Sequence, residues 1–408
     1  MSNQLLHFAI DGNEANVLNR VGSNVYAYEI LLQFYELTKT KPHLKWTILL
    51  SAPPVNDLPT ENVNWRYQVV GPKKFWTQWA LPIHLFKNIG NYDLFYTPGH
   101  YAPRFSPIPY VSTVMDLAFL EFPDQFTSMD LFQLKHWTKY SVRSAKKVIT
   151  ISNFSKQEIT QKYNIDAKKI KVAYPAFSLD NQYSKLRWKS FVKKNNLKLK
   201  NYFLYLGTIQ PRKNLETLID AFEIFNHKLA ASQVKSAQAK TIETELPQLV
   251  IAGKTGWLAD SVLQRIKKSP IKEQIVLTGF VENSLKKPLY EQAKASCLIG
   301  LYEGFGIPPL ESLSVGTPTI VANNSSLPEA VGEVGFKVPA TDPTKIATTM
   351  LEVWRLPKLR QKILKRKMLK HVREFSWSKS AQIIFETLLE VINQEKAPLK
   401  TWDPFKHD

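Results

Sequence analysis

Tyr202-Phe-Leu-Tyr-Leu-Gly207-Thr-Ile-Gln-Pro-Arg212-Lys213-Asn214-Leu-Glu-Thr-Leu-Ile219 reads as a strand that runs into a glycine turn, two adjacent cations and then a helix. An apolar strand of this kind suits a parallel sheet covered on both faces. The same period continues downstream at Gln248-Leu-Val-Ile-Ala, Gln274-Ile-Val-Leu, Ser296-Cys-Leu-Ile and Pro318-Thr-Ile-Val. Upstream it appears at His7-Phe-Ala-Ile, Trp46-Thr-Ile-Leu-Leu, Tyr110-Val-Ser-Thr-Val and Lys147-Val-Ile-Thr-Ile. Strands alternating with helical patterns imply an α/β chain of two doubly wound domains, with ligands at the carboxyl ends of the strands and a cleft between the domains. Residues 181–200 are polar and rich in lysine, so the interdomain connection is placed there, between a first domain over 1–180 and a second that starts at 201. Residues 229–246, rich in Ala, Gln, Lys, Ser and Thr before Pro247, read as an exposed loop after a helix.

The bulk numbers agree with two folded domains. A chain of 408 residues exceeds what one core usually supports, and 44% hydrophobic with 22% charged residues is ordinary for a globular protein. A single cysteine, Cys297, in an apolar run excludes a disulfide framework and a cysteine-rich metal site. The first residues carry no basic leader, and no run approaches the roughly 18–20 apolar residues of a membrane helix, so a cytoplasmic location is expected. Net charge is +19; residues 1–180 hold 19 Lys and Arg against 14 Asp and Glu, leaving 35 against 21 for the rest. This excess favours anionic partners: nucleotide diphosphates, anionic lipid or nucleic acid. Nucleic acid is set aside because no helix-turn-helix, RRM, KH or zinc-finger signature accompanies the charge.

Three stretches carry chemistry. After the first strand, Asn19, Gly22 and Ser23 precede a helical pattern, where backbone N–H groups can approach an anion; simple capping explains the glycine equally well. After the strand quoted first, Arg212 and Lys213 fall at a carboxyl end and suit a diphosphate whose charge grows as it leaves. An ordinary surface pair is the plainer reading, which this position makes less attractive. In Glu303-Gly-Phe-Gly-Ile-Pro-Pro-Leu-Glu311, Gly304 and Gly306 free a turn, a proline opens a helix, and two carboxylates offer acceptors for the vicinal hydroxyls of a sugar or ribose.

On these residues the sequence resembles the retaining GT-B glycosyltransferases that include sucrose synthases, bacterial glycogen synthases and bacterial mannosyl- and glucosyltransferases. The likeness covers essentially the whole chain and rests on Glu303 to Glu311, Pro211-Arg-Lys-Asn214 and Ile151-Ser-Asn-Phe-Ser-Lys156, with Gly316-Thr-Pro-Thr-Ile and Ser325-Ser-Leu-Pro-Glu329 also similar. It implies two Rossmann-like domains facing a central cleft: an acceptor-binding domain over 1–180, on which a helix at about 378–395 packs back, and a nucleotide-sugar domain over 201–377. Arg212 and Lys213 match the pair that neutralises the donor diphosphate, with Gly207 in the same turn, and Gly22 matches the loop that closes on it. Glu303 matches the acid contacting the donor sugar, beside the amides of Phe305 and Gly306, and Glu311 the acid that holds the ribose. In the family the leaving phosphate takes the acceptor's proton on the face it departs from, which retains configuration. No Asp-x-Asp triplet occurs, so neither a metal nor another cofactor is expected.

One position departs from the family. Met115 stands before Asp116 where a histidine that contacts the donor sugar is usual, and methionine is a poor hydrogen-bonding group. His100, before the same strand, is the candidate to occupy similar space. Two functions follow: transfer of a hexose, mannose or glucose, from a GDP-, UDP- or ADP-sugar to a glycan or lipid-linked acceptor of surface polysaccharide or glycoconjugate synthesis, or sugar-nucleotide binding with weak or lost catalysis. Peripheral contact with the inner face of a membrane is left open by Lys73-Lys-Phe-Trp-Thr-Gln-Trp-Ala-Leu-Pro and by a basic amphipathic helix around Leu359 to Val372. Covering a sheet is the more usual duty of such a helix.

Overall fold

A computed structural model of the chain describes residues 4–180, 182–236 and 246–396. The chain forms two compact units, the first from residues up to Tyr174 together with those from Trp377 onward, the second from Pro175–Ser376. Each is built on one parallel sheet.

The first sheet holds β1 (Leu6–Asp11), β2 (Leu44–Leu50), β3 (Trp65–Val69), β4 (Leu94–Thr97), β5 (Tyr110–Val114), β6 (Lys147–Thr150) and β7 (Ile170–Val172), in the order β3-β2-β1-β4-β5-β6-β7. Its inner strands are apolar on both sides, as burial under two helical layers requires. On one face Trp46 stacks on Phe8 at 4.5 Å and on Phe34 of the helix Ser23–Thr40 at 4.9 Å. The last described helix, Trp377–Lys396, closes that face: Phe385 lies 6.2 Å from both Phe8 and Trp46, and Trp377 meets the edge of Tyr26. Lys147 and Lys146 pair with Glu390 at 2.7 Å and Glu395 at 2.8 Å, and Ser380 donates to the carbonyl of Tyr174.

The second sheet holds β8 (Tyr202–Leu206), β9 (Gln248–Ala252), β10 (Ile275–Gly279), β11 (Ala295–Leu298), β12 (Thr319–Ala322) and β13 (Phe336–Val338), in the order β10-β9-β8-β11-β12-β13. Cys297 is buried within β11, and burial pushes its thiol well above the ordinary range. On one face Phe203, Phe222, Phe225 and Trp354 pack ring to ring.

Four strands have no counterpart in the sequence reading: β3, β4, β7 and β13. Two further expectations are corrected. Within 181–200, the helix Lys185–Lys194 belongs to the second unit, because Trp188, Phe191 and Val192 at i, i+3 and i+4 pack against Leu197, Tyr202 and Leu204. The division therefore falls before Pro175. Within 229–246, the helix Leu215–Ser236 continues to Ser236 through Leu229, Ala230 and Ala231, which favour helix; residues 237–245 lie outside the described residues. Among the described residues no helix is long and apolar enough to cross a membrane.

Candidate functional site

The order of the second sheet reverses between β8 and β11, so the loops that leave these adjacent strands diverge and open a crevice. After β8, Pro211 opens a 3-10 turn over Pro211–Lys213, and Asn214, at φ 58°, ends it. The Asn214 amide donates to Ile299 O at 3.1 Å and Ala340 O at 2.7 Å, joining the loops that follow β8, β11 and β13. Leu301 N donates to Arg212 O at 2.8 Å. These bonds bring together groups ninety residues apart: the Lys213 ammonium lies 2.6 and 2.8 Å from the two Glu303 carboxylate oxygens. Arg212 Nη1 is 3.8 Å from the same carboxylate and donates to Tyr302 O at 3.2 Å.

Glu303 is only 7% exposed, so the two cations offset the cost of burying a carboxylate there. Its backbone is held from both sides: Glu303 N donates to Ser325 Oγ at 3.1 Å, and Ser326 Oγ donates to Glu303 O at 2.7 Å. Gly306 begins the helix Ile307–Ser314 at φ 106°, where a Cβ would also stand 2.7 Å from Leu327 Cδ2. Only glycine takes that conformation readily. Phe305 is buried with its ring 5.6 Å from Phe375. One turn into the helix, Glu311 is buried and accepts from the Tyr290 hydroxyl at 2.9 Å, with the Lys286 ammonium at 3.4 Å. Burial first, then the Glu311 charge, holds the Tyr290 phenol protonated far above its ordinary range. The sequence reading does not name Tyr290, Lys286 or Asn214 as site residues. Ser325-Ser326 was legible as part of a motif, but not as the clamp on Glu303.

Gly207, expected at the donor, also lies where two loops cross. Its amide donates to Ala252 O at 2.9 Å, and the neighbouring Gly253, at φ 147°, passes so close that a Cβ there would fall 1.9 Å from Gly207 O. Gly207 thus gives room for two loops to cross, and its N–H is committed to that crossing.

The first sheet reverses between β1 and β4. Gly22, at φ 55° and ψ −117°, precedes the helix Ser23–Thr40 with open space around it. The Glu14 carboxylate accepts from Ser23 Oγ at 3.1 Å and Asn24 Nδ2 at 2.7 Å. Asp11, which ends β1, is buried; burial pushes its carboxyl up to about 7 against the lowering effect of bonds from Asn13 N at 3.0 Å and Asn13 Nδ2 at 2.8 Å. His100 follows β4, and among the described residues its buried Nδ1 has no hydrogen-bond partner. Met115 follows the neighbouring β5 and is buried, while Asp116 accepts from Ala118 N at 2.9 Å and shapes the turn. A cavity of about 570 Å³ lined by His7, Lys45, Arg66 and Tyr92 lies toward the amino ends of β1 to β3, apart from all these residues. Among the described residues no group of three or more His, Cys, Asp and Glu is arranged to hold a metal.

The family model described as Glycosyl transferases group 1 matches residues 187–368, and that described as Glycosyltransferase Family 4 matches residues 46–181. The chain is a glycosyltransferase, with one of these two models on each of two successive parts of it. These matches do not favour a protein that only binds sugar nucleotides. The chain is 27% identical over 313 residues to the O-antigen chain mannosyltransferase B of Escherichia coli, covering 76% of each chain. Among solved structures, sucrose-phosphate synthase from Thermosynechococcus elongatus matches with a TM-score of 0.69 at 16% identity, over 95% of this glycosyltransferase and 100% of that chain. HepE of Anabaena, in complex with UDP and glucose, matches with a TM-score of 0.67 at 16% identity, over 95% and 100%.

Proposed function

We propose that this glycosyltransferase moves a hexose, mannose or glucose, from a nucleotide diphosphate sugar to a glycan or lipid-linked acceptor of surface polysaccharide synthesis, in the cytoplasm. The observation that carries the reading is the convergence of Arg212 and Lys213 on the buried Glu303 at the switch point of the second sheet. Two cations beside one carboxylate suit a diphosphate next to a sugar hydroxyl, and the arrangement gains strength as the leaving group acquires charge. The name of the E. coli relative supports mannose and an O-antigen type of acceptor, and the ligands of HepE support UDP and glucose.

In this reading Arg212 and Lys213 hold the diphosphate, Glu303 the donor sugar, with the Phe305 and Gly306 amides at its side, and Glu311 the ribose. On the first unit, Gly22 is assigned to donor binding and His100, Met115 and Asp116 to sugar or acceptor contacts. The acceptor oxygen bonds to the anomeric carbon as the bond to the diphosphate oxygen breaks, and that oxygen takes the acceptor's proton on the same face. Configuration is retained and no metal takes part.

The test incubates the protein with GDP-mannose, UDP-glucose and ADP-glucose in the presence of a chelator and follows nucleotide release, with NMR of the anomeric centre on any product. Release from at least one donor, lost in Glu303→Gln and in Arg212→Met, is the expected result. Unchanged release in both variants removes the site, an inverted product removes the stereochemistry, and turnover that appears only in Met115→His removes the activity of the natural chain.

A further inference from the structure

One face of the first sheet changes character within a single step along its strands. Ala9 and Leu49 lie in the core of the first unit with Leu81 and Leu85 of the helix Leu81–Lys87. Two residues earlier on the same strands, and so on the same face, stand His7 and Thr47. Lys45 pairs with His7 and Arg66 with Thr47 in the parallel register, and Asn64 and Gln68 lie two residues to either side of Arg66. The six therefore share this face. On the opposite face the same strands carry Phe8, Trp46 and Trp65, packed ring to ring as core.

The polar end of the face is hollow. With the turn from Asn88 to Tyr92 as its far wall it forms the cavity of about 570 Å³ at the amino ends of β1 to β3, room for a ligand much larger than a lone inorganic ion. Thr47 and Tyr92 are buried, with Thr47 Oγ1 2.9 Å from His7 Nε2 and the Tyr92 hydroxyl 3.3 Å from Gln68 Oε1. Among the described residues no Asp or Glu lines the cavity, and the Lys45 ammonium, the Arg66 guanidinium and the Asn64 side-chain amide have no hydrogen-bond or ion-pair partner. Two acids close by are turned to other groups: Asp93 accepts from His7 N at 2.8 Å and pairs with Lys396 at 2.9 Å, and Glu61 accepts from Tyr67 N at 2.8 Å. Burial lowers the pKa of the His7 imidazole, the Asn91 backbone raises it in part, and the Lys45 charge lowers it again.

A solvated strand edge accounts for one cation. A concave wall with two cations and no acid concentrates anions. The carboxamides of Asn64, Gln68, Asn88 and Asn91 add both donors and acceptors, the complement of adjacent hydroxyl groups, while Val63 is the lone aliphatic side chain in the lining and leaves no slot for a nucleobase. We propose that this cavity is a non-catalytic site for an anionic saccharide, with Lys45 and Arg66 on its phosphate or carboxylate and Asn64 and Gln68 on its hydroxyls. The residues of this unit assigned to transfer follow the carboxyl ends of its strands, so the proposal stands independently of the transfer reading.

Isothermal titration calorimetry of the full chain at low salt, with mannose 6-phosphate and with trigalacturonate, tests it; inorganic phosphate and neutral maltotriose are the controls. At least one anionic saccharide is expected to bind at least about tenfold tighter than either control, since each control supplies only half of the recognition. Lys45→Gln/Arg66→Gln is expected to weaken that binding at least about tenfold, at a melting temperature no lower than that of the natural chain, because neither cation has an ion pair to lose. Tighter mannose 6-phosphate identifies a free sugar phosphate as the occupant and tighter trigalacturonate an acidic glycan; either result supports the proposal. It is overturned if neither anionic saccharide binds, if a control binds as tightly, or if Lys45→Gln/Arg66→Gln binds like the natural chain. Binding that is lost in Arg212→Met but kept in Lys45→Gln/Arg66→Gln belongs to the second unit and overturns it as well.

Discussion

Replacing Lys213 by methionine tests the candidate site most directly, because one substitution has two separable consequences. Methionine keeps much of the length of the lysine stem and removes the ammonium that lies 2.6 and 2.8 Å from the Glu303 carboxylate oxygens. The stranded carboxylate is 7% exposed and retains Arg212 only at 3.8 Å. Removing one partner of a buried pair typically costs about 3–5 kcal/mol. At about 2–4 °C per kcal/mol for a unit of this size, the lower figure moves the melting of the second unit down by about 6–12 °C. Glu303→Gln/Lys213→Met has no buried carboxylate left to strand, Arg212 keeping its bond to Tyr302 O, and is expected to recover at least half of that loss. The second consequence concerns ligand. A nucleotide sugar at a hundred times its Kd raises the stability of the natural chain by about 2.7 kcal/mol, a rise that Lys213→Met is expected to lose because the diphosphate is short of one cation. Differential scanning calorimetry, with and without the donor that shifts the natural chain most, reads both. A Lys213→Met protein that melts within 1 °C or so of the natural chain refutes the buried pair. One that keeps the full ligand-induced rise refutes Lys213 as a diphosphate group.

Three further outcomes follow from the same geometry. Tyr290→Phe removes the 2.9 Å bond to the buried Glu311 and is expected to cost about 1.5–3 kcal/mol and to raise the donor KM more than it lowers kcat, since Glu311 is assigned to the ribose and not to the reacting centre; initial rates over donor concentration give the split. Gly306→Ala forces a Cβ at φ 106° to within 2.7 Å of Leu327 Cδ2 and is expected to cost at least about 1–3 kcal/mol, read as a lower melting temperature together with weaker donor binding. Asp11, raised to about 7 in the folded chain from the ordinary carboxyl value of 3.8, binds a proton more tightly folded than unfolded. Its contribution is favourable below pH about 4, declines as pH rises, and above about 7 leaves a penalty of about 4 kcal/mol at most. Asp11→Asn is therefore expected to melt higher than the natural chain at pH 8 and to show no such advantage at pH 4.

The central strands were legible in the sequence because burial on both faces forces unbroken apolar runs, as at Tyr202–Leu206 and Leu44–Leu50. The edges were not. β3 alternates with water on one side, and β7 and β13 have three residues each, too few to establish a period. The helix Lys185–Lys194 was hidden by its lysines, since three apolar residues at helical spacing suffice to bury one side. Within the site, Arg212, Lys213, Glu303 and Glu311 were legible as strings. Their meeting was not, because it depends on β8 lying beside β11, a fact of strand order that no local pattern records. Tyr290 and Lys286 were invisible for the same reason: they reach Glu311 from the helix Asn283–Glu291, whose own pattern says nothing of its neighbour.

The return of the helix Trp377–Lys396 to the first unit sets an order on synthesis. Phe8, Trp46 and Tyr26 wait for Phe385 and Trp377 while the whole of Pro175–Ser376 is translated, an interval of about 10–40 s at typical elongation rates. During that time the second unit has everything it needs to fold, and the first shows an aromatic face to whatever is near. The half of the protein made first is thus completed last, and a nascent chain stalled before Trp377 is a substrate for chaperones or aggregation, not a truncated enzyme.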